Sequence, residues 1–183
     1  MYRKILVAVD HSALQTYLLD KAIGLAKLMK ADLMIVHALS AYEEGSPGLP
    51  VRAYHSYYPI SDSIAWETYQ KRWETYEHEG IKELRQLAAE ATTQGVKTEF
   101  TQTAGDPGRV ICDMAESWQA DMIVVGNRGR SGLSEFFLGS VSNYVMHHAP
   151  CSVLVVHNAE VSDTPATSAE TGTTTGATAG AIA

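Results

Sequence analysis

Cysteine is nearly absent: Cys112 and Cys151 are the only two in 183 residues. One pair, with no CxxC or metal-ligand spacing, is no disulfide framework, and a reducing compartment fits it best. Positive charge is scarce too. Fourteen Lys and Arg against 21 Asp and Glu give a formal charge of -7 and a pI near 5.4. That balance argues against a nucleic-acid surface, because phosphate backbones are held by clustered Lys and Arg. The opening apolar run, Ile5 to Val9, ends at Asp10, too short for a signal-peptide core or a membrane span. The expectation is a soluble, cytoplasmic protein with no membrane partner. Two phosphate-binding motifs are missing as well. No Gly-Lys-Ser/Thr closes a Walker A loop and no GxGxxG follows the first strand, which argues against a typical P-loop ATPase.

What is present is a repeating alternation of strand and helix patterns. Ile5-Leu6-Val7-Ala8-Val9 is an unbroken aliphatic run, as in a central parallel strand covered on both faces. Ser12 and Gln15 read as a capping box, followed by Leu14, Leu18, Ala22, Leu25, Ala26 and Met29 at helical spacing. Leu33 to Ala38 is a second strand. Ser40 to Pro59, with Gly45, Pro47, Gly48, Pro50 and Pro59, carries no period and is read as a long mobile loop. A helix is predicted from Ser61 to about Thr93, with Trp66, Tyr69, Trp73, Tyr76, Ile81, Leu84, Ala88 and Ala91 on one face. It is too long for the sheet, so its aromatic half should overhang. Core packing is the first reading of that aromatic stripe, with a partner surface or a lid as the alternatives. Val96 to Thr103, Ala120 to Val125 and Ser152 to Val156 complete the strands; Val110 to Trp118 and Gly139 to His148 complete the helices. This order predicts a single α/β domain over residues 1–157, a doubly wound, Rossmann-like parallel sheet with helices on both faces. By fold analogy the strand order is 3-2-1-4-5. Residues 158–183, rich in Thr, Ala and Gly, read as a disordered tail.

The most informative stretch is Val125 to Val141. Gly126, Gly129, Gly132 and Gly139 leave room for main-chain N–H groups to close on an anion, and Gly139-Ser140 opens a helix whose positive end suits phosphate. In an open α/β sheet, ligands bind beyond the carboxyl ends of the strands, where connections leave on opposite faces. Asp10 would then face the glycine loop and accept from ribose hydroxyls, a turn role being its alternative. Ser140 suits both capping and phosphate contact. Arg128, preferred over Arg130, would add charge. His147-His148 point about 100° apart and make no metal pair; no metal ligands and no catalytic residues are assigned. Cys112 reads as a small core residue.

The spacing Gly-x2-Gly-x9-Gly-Ser, met by Gly126, Gly129, Gly139 and Ser140, completes a pattern with Ile5 to Asp10, Gly105-Asp106-Pro107, Ala120 to Gly126 and Ala149 to Val156. From Tyr2 to about His157 the chain resembles the universal stress proteins, in particular their ATP-binding branch. The resemblance implies a five-stranded sheet in the order given above. It implies adenine and ribose contacts near Ala8, Val9, Asp10 and Ala38, and phosphate contacts from Gly126, Arg128, Gly129, Gly139, Ser140 and Val141. The implied ligand is ATP, or AMP or ADP, with Mg²⁺ as a companion ion, and the implied assembly is a homodimer through Ser152 to Val156. Ala38 stands where a larger aliphatic residue is common, and Ser152 where proline is frequent. A nucleotide-dependent binding or signalling module is the leading function; a slow ATPase or self-phosphorylating enzyme is the alternative, for which Asp10 or Asp106 would hold Mg²⁺ and Ser140 would accept phosphate.

Overall fold

The computed structural model describes residues 2–41, 43, 45–49, 60–127 and 138–157. In chain order these form β1 (Lys4–Val9), α1 (Gln15–Met29), β2 (Asp32–Leu39), α2 (Ile60–Thr93), β3 (Thr98–Ala104), α3 (Pro107–Trp118), β4 (Met122–Gly126), α4 (Ser140–His148) and β5 (Ser152–Val156). The five strands are all parallel, in the order β3-β2-β1-β4-β5. The predicted fold class and order therefore hold. The tail and residues 50–59 of the loop lie outside the described residues.

Strand alternation sorts the core into two halves. Ile5, Val7, Leu33, Ile35 and Val124 turn toward Leu18, Leu19, Ala22 and Ile23 of α1 and Leu84, Ala88 and Ala91 of α2. Leu6, Met34, Val36, Ile123 and Val125 turn the other way, toward Ile111, Cys112 and Ala115 of α3 and Val145 of α4. Inside their ends the central strands are apolar because both faces are covered, with His37 of β2 as the exception. Cys112 is one of these core residues, and burial pushes its thiol pKa up.

Three local expectations need correction. The capping box does not form: α1 starts at Gln15 with no side-chain cap. Ser12 is taken up by the preceding turn, its N–H donating to Asp10 Oδ1 at 3.1 Å and its carbonyl accepting from Gln15 N at 3.0 Å. Helix α3 begins one turn earlier than Val110, because Asp106 caps it through Arg109 N–H and Pro107 suits a first helical position. The aromatic stripe is core only in its lower part. Leu84, Ala88 and Ala91 are buried, whereas Trp66 is 51% exposed and stacks on its own helix in a ladder Trp66, Tyr69, Trp73, Tyr76 with centroid spacings of 5.3, 6.2 and 5.6 Å. The cause is length: 34 residues make about 50 Å of helix at 1.5 Å per residue, against strands of five to eight residues. The predicted overhang is present.

Candidate functional site

The sheet is held at one end and parted at the other. At the amino end of β1, Asp121 accepts hydrogen bonds from the N–H groups of Arg3 and Lys4 at 2.6 and 2.9 Å, and Lys4 Nζ donates to Trp118 O at 2.9 Å. The two backbone donors hold the Asp121 carboxyl pKa below its ordinary value. At the carboxyl end, β1 stays paired with β2 as far as Val9 and His37, but its register with β4 ends at Val7 and Val124. Beta-4 continues alongside β5 to Gly126 and Val156. Strands β1 and β4 therefore part between Ala8-Val9 and Val125-Gly126, the place where sheets of this kind have their crevice. It lies at the switch point, because β1 leads to α1 on one face and β4 to α4 on the other.

The predicted residues border this crevice in different ways. Asp10 follows the end of β1, half-buried, with Oδ1 accepting from Ser12 N–H, so the turn role is real; a carboxylate offers about four lone-pair sites, and the turn leaves a ligand role compatible with it. Ala8 is half-buried on the α3/α4 face. Val9 and Ala38 are buried, and the Val9 side chain belongs to the core under α1, so its main chain is what it offers at the strand end. On the other wall, Gly126 O accepts from Ser142 Oγ at 2.7 Å, tying the strand end to the first turn of α4. Gly139 is the N-cap residue, with φ -57° and ψ 154°, and no side chain among the described residues caps the helix. The expected capping by Ser140 is thus absent: the hydroxyl sits at the first helical position, one residue too late to reach back as a cap. Ser140 is exposed, and Val141 half-buried against the α3/α4 core. Arg128 and Gly129 lie outside the described residues.

A second group of polar residues gathers on the α1/α2 side of the same strand ends. His37 projects from β2 with Nε2 3.0 Å from both oxygens of Glu43, which follows β2. Tyr76 OH donates to Glu43 Oε2 at 2.8 Å and His11 N–H to Glu43 Oε1 at 3.3 Å. The His11 ring stands edge-on to His37, 4.7 Å between centroids, with Nδ1 2.9 Å from Glu83 Oε2. Burial alone pushes the His37 pKa down; the hydrogen bond and charge of Glu43, with help from Gln102 and Asp10, outweigh it and raise the pKa. Burial pushes Glu43 up, and His37, Tyr76 and the His11 N–H outweigh it and lower it. Tyr76 is pushed well up by burial and by the Glu43 carboxylate. Sequence spacing could not find this group, since its members come from a strand end, a strand, a loop and a distant helix. The only sequence signal is a histidine inside an otherwise aliphatic strand.

The sequence profile of the Universal stress protein family matches residues 1–157. The chain belongs to that family. It is similar to a universal stress protein of Synechocystis sp., 36% identical over 157 residues, covering 86% of this chain and 99% of the relative. It is also similar to the universal stress protein YxiE of Bacillus subtilis, 35% identical over 156 residues, covering 85% and 99%. Among solved structures, a universal stress protein in complex with cAMP superposes with a TM-score of 0.55 at 25% identity, covering 85% of this chain and 97% of that one. Both sequence relatives are matched over 99% of their own length. No helix among the described residues is long and apolar enough to cross a membrane.

Proposed function

We propose that this universal stress protein is a cytoplasmic adenine-nucleotide-binding module of the ATP-binding branch, which binds ATP, AMP or ADP in the crevice between β1 and β4 and couples occupancy to partner or subunit affinity. The observation that carries the reading is the parting of β1 from β4 after Val7 and Val124, with a strand-end carboxylate on one wall and, on the other, a helix start that no side chain among the described residues caps. The chemistry fits both halves of a nucleotide. Asp10 accepts from the ribose hydroxyls, Ala8 and Ala38 leave space for a flat base, and the first turn of α4, from Gly139 through Ser140 and Val141, presents N–H groups and dipole to phosphate. Gly126, Arg128 and Gly129 complete the phosphate side, and Mg²⁺ accompanies the polyphosphate ligands. The cAMP complex of a relative in fold and sequence supports the adenine-nucleotide class.

Asp10→Ala tests the ribose contact. In calorimetric titrations with AMP, ADP, ATP and cAMP, with and without Mg²⁺, the variant should bind AMP at least about tenfold more weakly, as expected for a lost hydrogen bond to a charged group. Unchanged affinity would remove Asp10 from the site.

The proposal includes a homodimer through β5. This strand is at the edge of the sheet, and Val153 to Val156 are only half-buried in the single chain. An apolar edge of that kind invites pairing with a second copy. Sedimentation at micromolar concentration should give twice the chain mass, and a monomer there would discard the dimer without touching the nucleotide site.

A further inference from the structure

Two imidazoles and a carboxylate converge beside the crevice without belonging to it. One ring nitrogen each from His11 and His37 and one oxygen of Glu43 lie within 4.8 Å of one another. The geometry points to a site for a divalent transition-metal ion, zinc above all, with His11, His37 and Glu43 as its three protein ligands. Zinc takes imidazole nitrogen and carboxylate oxygen at about 2.0–2.2 Å, which puts tetrahedral ligand atoms about 3.3–3.5 Å apart. His37 Nε2 and Glu43 Oε1 already stand at 3.0 Å, and the His11 nitrogen, within 4.8 Å of them, has to move in by about 1.5 Å at most to complete the set.

The outer shell is what separates a metal site from a buried ion pair. A His37–Glu43 pair satisfies itself, but it gives no reason for a second imidazole held beside it by its own carboxylate. Metal-bound histidines give their other ring N–H to a carboxylate or carbonyl oxygen, which fixes the tautomer and aims the free nitrogen. Both histidines have such a partner: Glu83 Oε2 at 2.9 Å from His11 Nδ1, and Gln102 Oε1 at 3.4 Å from His37 Nδ1. Each leaves Nε2 to the ion. Glu43 is oriented in turn by the Tyr76 hydroxyl and the His11 N–H. Gly80 leaves room for the Gln102 amide beside His37, since a Cβ there would lie 2.5 Å from Gln102 Oε1 and push it aside.

The ligand types choose the metal. Two imidazoles and one carboxylate favour zinc and its neighbours in the first transition row over Mg²⁺ or Ca²⁺, which prefer all-oxygen sites. The side chains of His37 and Glu43 are 3% and 6% exposed, and that of His11 25% exposed, so the ion enters from the His11 side. Three protein ligands leave a fourth position for water or a ligand. His11 directly follows Asp10, which places that position next to the crevice wall.

The test uses the full chain stripped with chelator, titrated with Zn²⁺ by calorimetry and with Co²⁺ by visible absorption. One ion per chain at micromolar affinity or tighter is expected, with the strong visible bands of tetrahedral cobalt and no competition from millimolar Mg²⁺. His11→Gln and Glu43→Gln should each weaken binding at least tenfold, and Glu83→Gln by about 10–100-fold. His148→Gln, on the exposed end of α4, and Gly139→Val should leave metal affinity unchanged, which separates this site from the nucleotide reading. If buried His37→Gln does not fold, the His11 and Glu83 variants still decide the matter. No zinc uptake by the wild-type chain, or uptake equally tight in both His11→Gln and Glu43→Gln, would overturn the assignment.

Discussion

Gly139→Val is expected to lower adenine-nucleotide affinity by about 100-fold or more, about 2.7 kcal/mol, while the protein remains folded. The backbone at Gly139, φ -57° and ψ 154°, is open to any residue, so valine meets no conformational barrier there. Valine is a poorer N-cap than glycine, which costs no more than about 1 kcal/mol of stability. What it obstructs is the approach of a phosphate to the first N–H groups of α4. Phosphate contact at a helix start requires oxygen within about 3 Å of the backbone nitrogens, and a branched side chain at the N-cap stands in that approach. Calorimetric titration beside a thermal melt checks both halves of the statement. Full affinity in a folded Gly139→Val protein would place the phosphates elsewhere.

The second large effect is expected where α3 meets α4. Gly108→Val should destabilise the domain by about 1–3 kcal/mol, the usual cost of overpacking a filled interface. A Cβ on Gly108 would lie 2.6 Å from Cδ1 and 2.8 Å from Cγ of Tyr144, so α3 and α4 touch at a point with no space for a methyl group. Tyr144 has little freedom to retreat, because its ring is stacked on His148 at 4.0 Å. A gain in helix propensity of less than about 1 kcal/mol does not offset the clash. For a domain of this size the melting temperature should fall by about 3–10 °C. The double variant Gly108→Val with Tyr144→Ala should lose less than the sum of its single changes, since removing the ring removes the obstruction. Strict additivity in that cycle would show that the helices do not meet there. Because α4 carries Ser140 at its other end, the single Gly108 variant should also weaken nucleotide binding, more mildly than Gly139→Val.

The sheet was readable because each strand is a short aliphatic run with its own turn signals, and a strand buried on both faces has few other ways to be written. Its order came from analogy, and the pairing of β1 with both β2 and β4 bears it out. Ser12 and Gln15 failed as a capping box because the spacing of a motif does not say which backbone groups are already engaged, and here Asp10 had engaged Ser12 first. Trp66 failed as a core residue because periodicity describes a helix without saying how far the sheet beneath it extends. The glycine loop was the clearest functional signal in the chain, yet its Arg128 and Gly129 are beyond what the structure describes. The group around His37 is the opposite case. No motif spacing links residues 11, 37, 43, 76 and 83, and only the crossing of α2 over the strand ends brings them together. A polar residue inside a buried strand must be satisfied by partners, so His37 marks a network whose members the sequence does not name.

Identifying the nucleotide carried by the purified protein tests the central claim most directly. Freshly purified chain is denatured, the released small molecules are separated by chromatography, and nucleotide-free protein is then titrated with ATP, ADP and AMP. A crevice built as described predicts stoichiometric adenine nucleotide in the released fraction, or micromolar binding of at least one of the three by the stripped protein. Release of none, together with no binding of any, would contradict the account and leave the parted strand ends and the glycine loop to a different ligand.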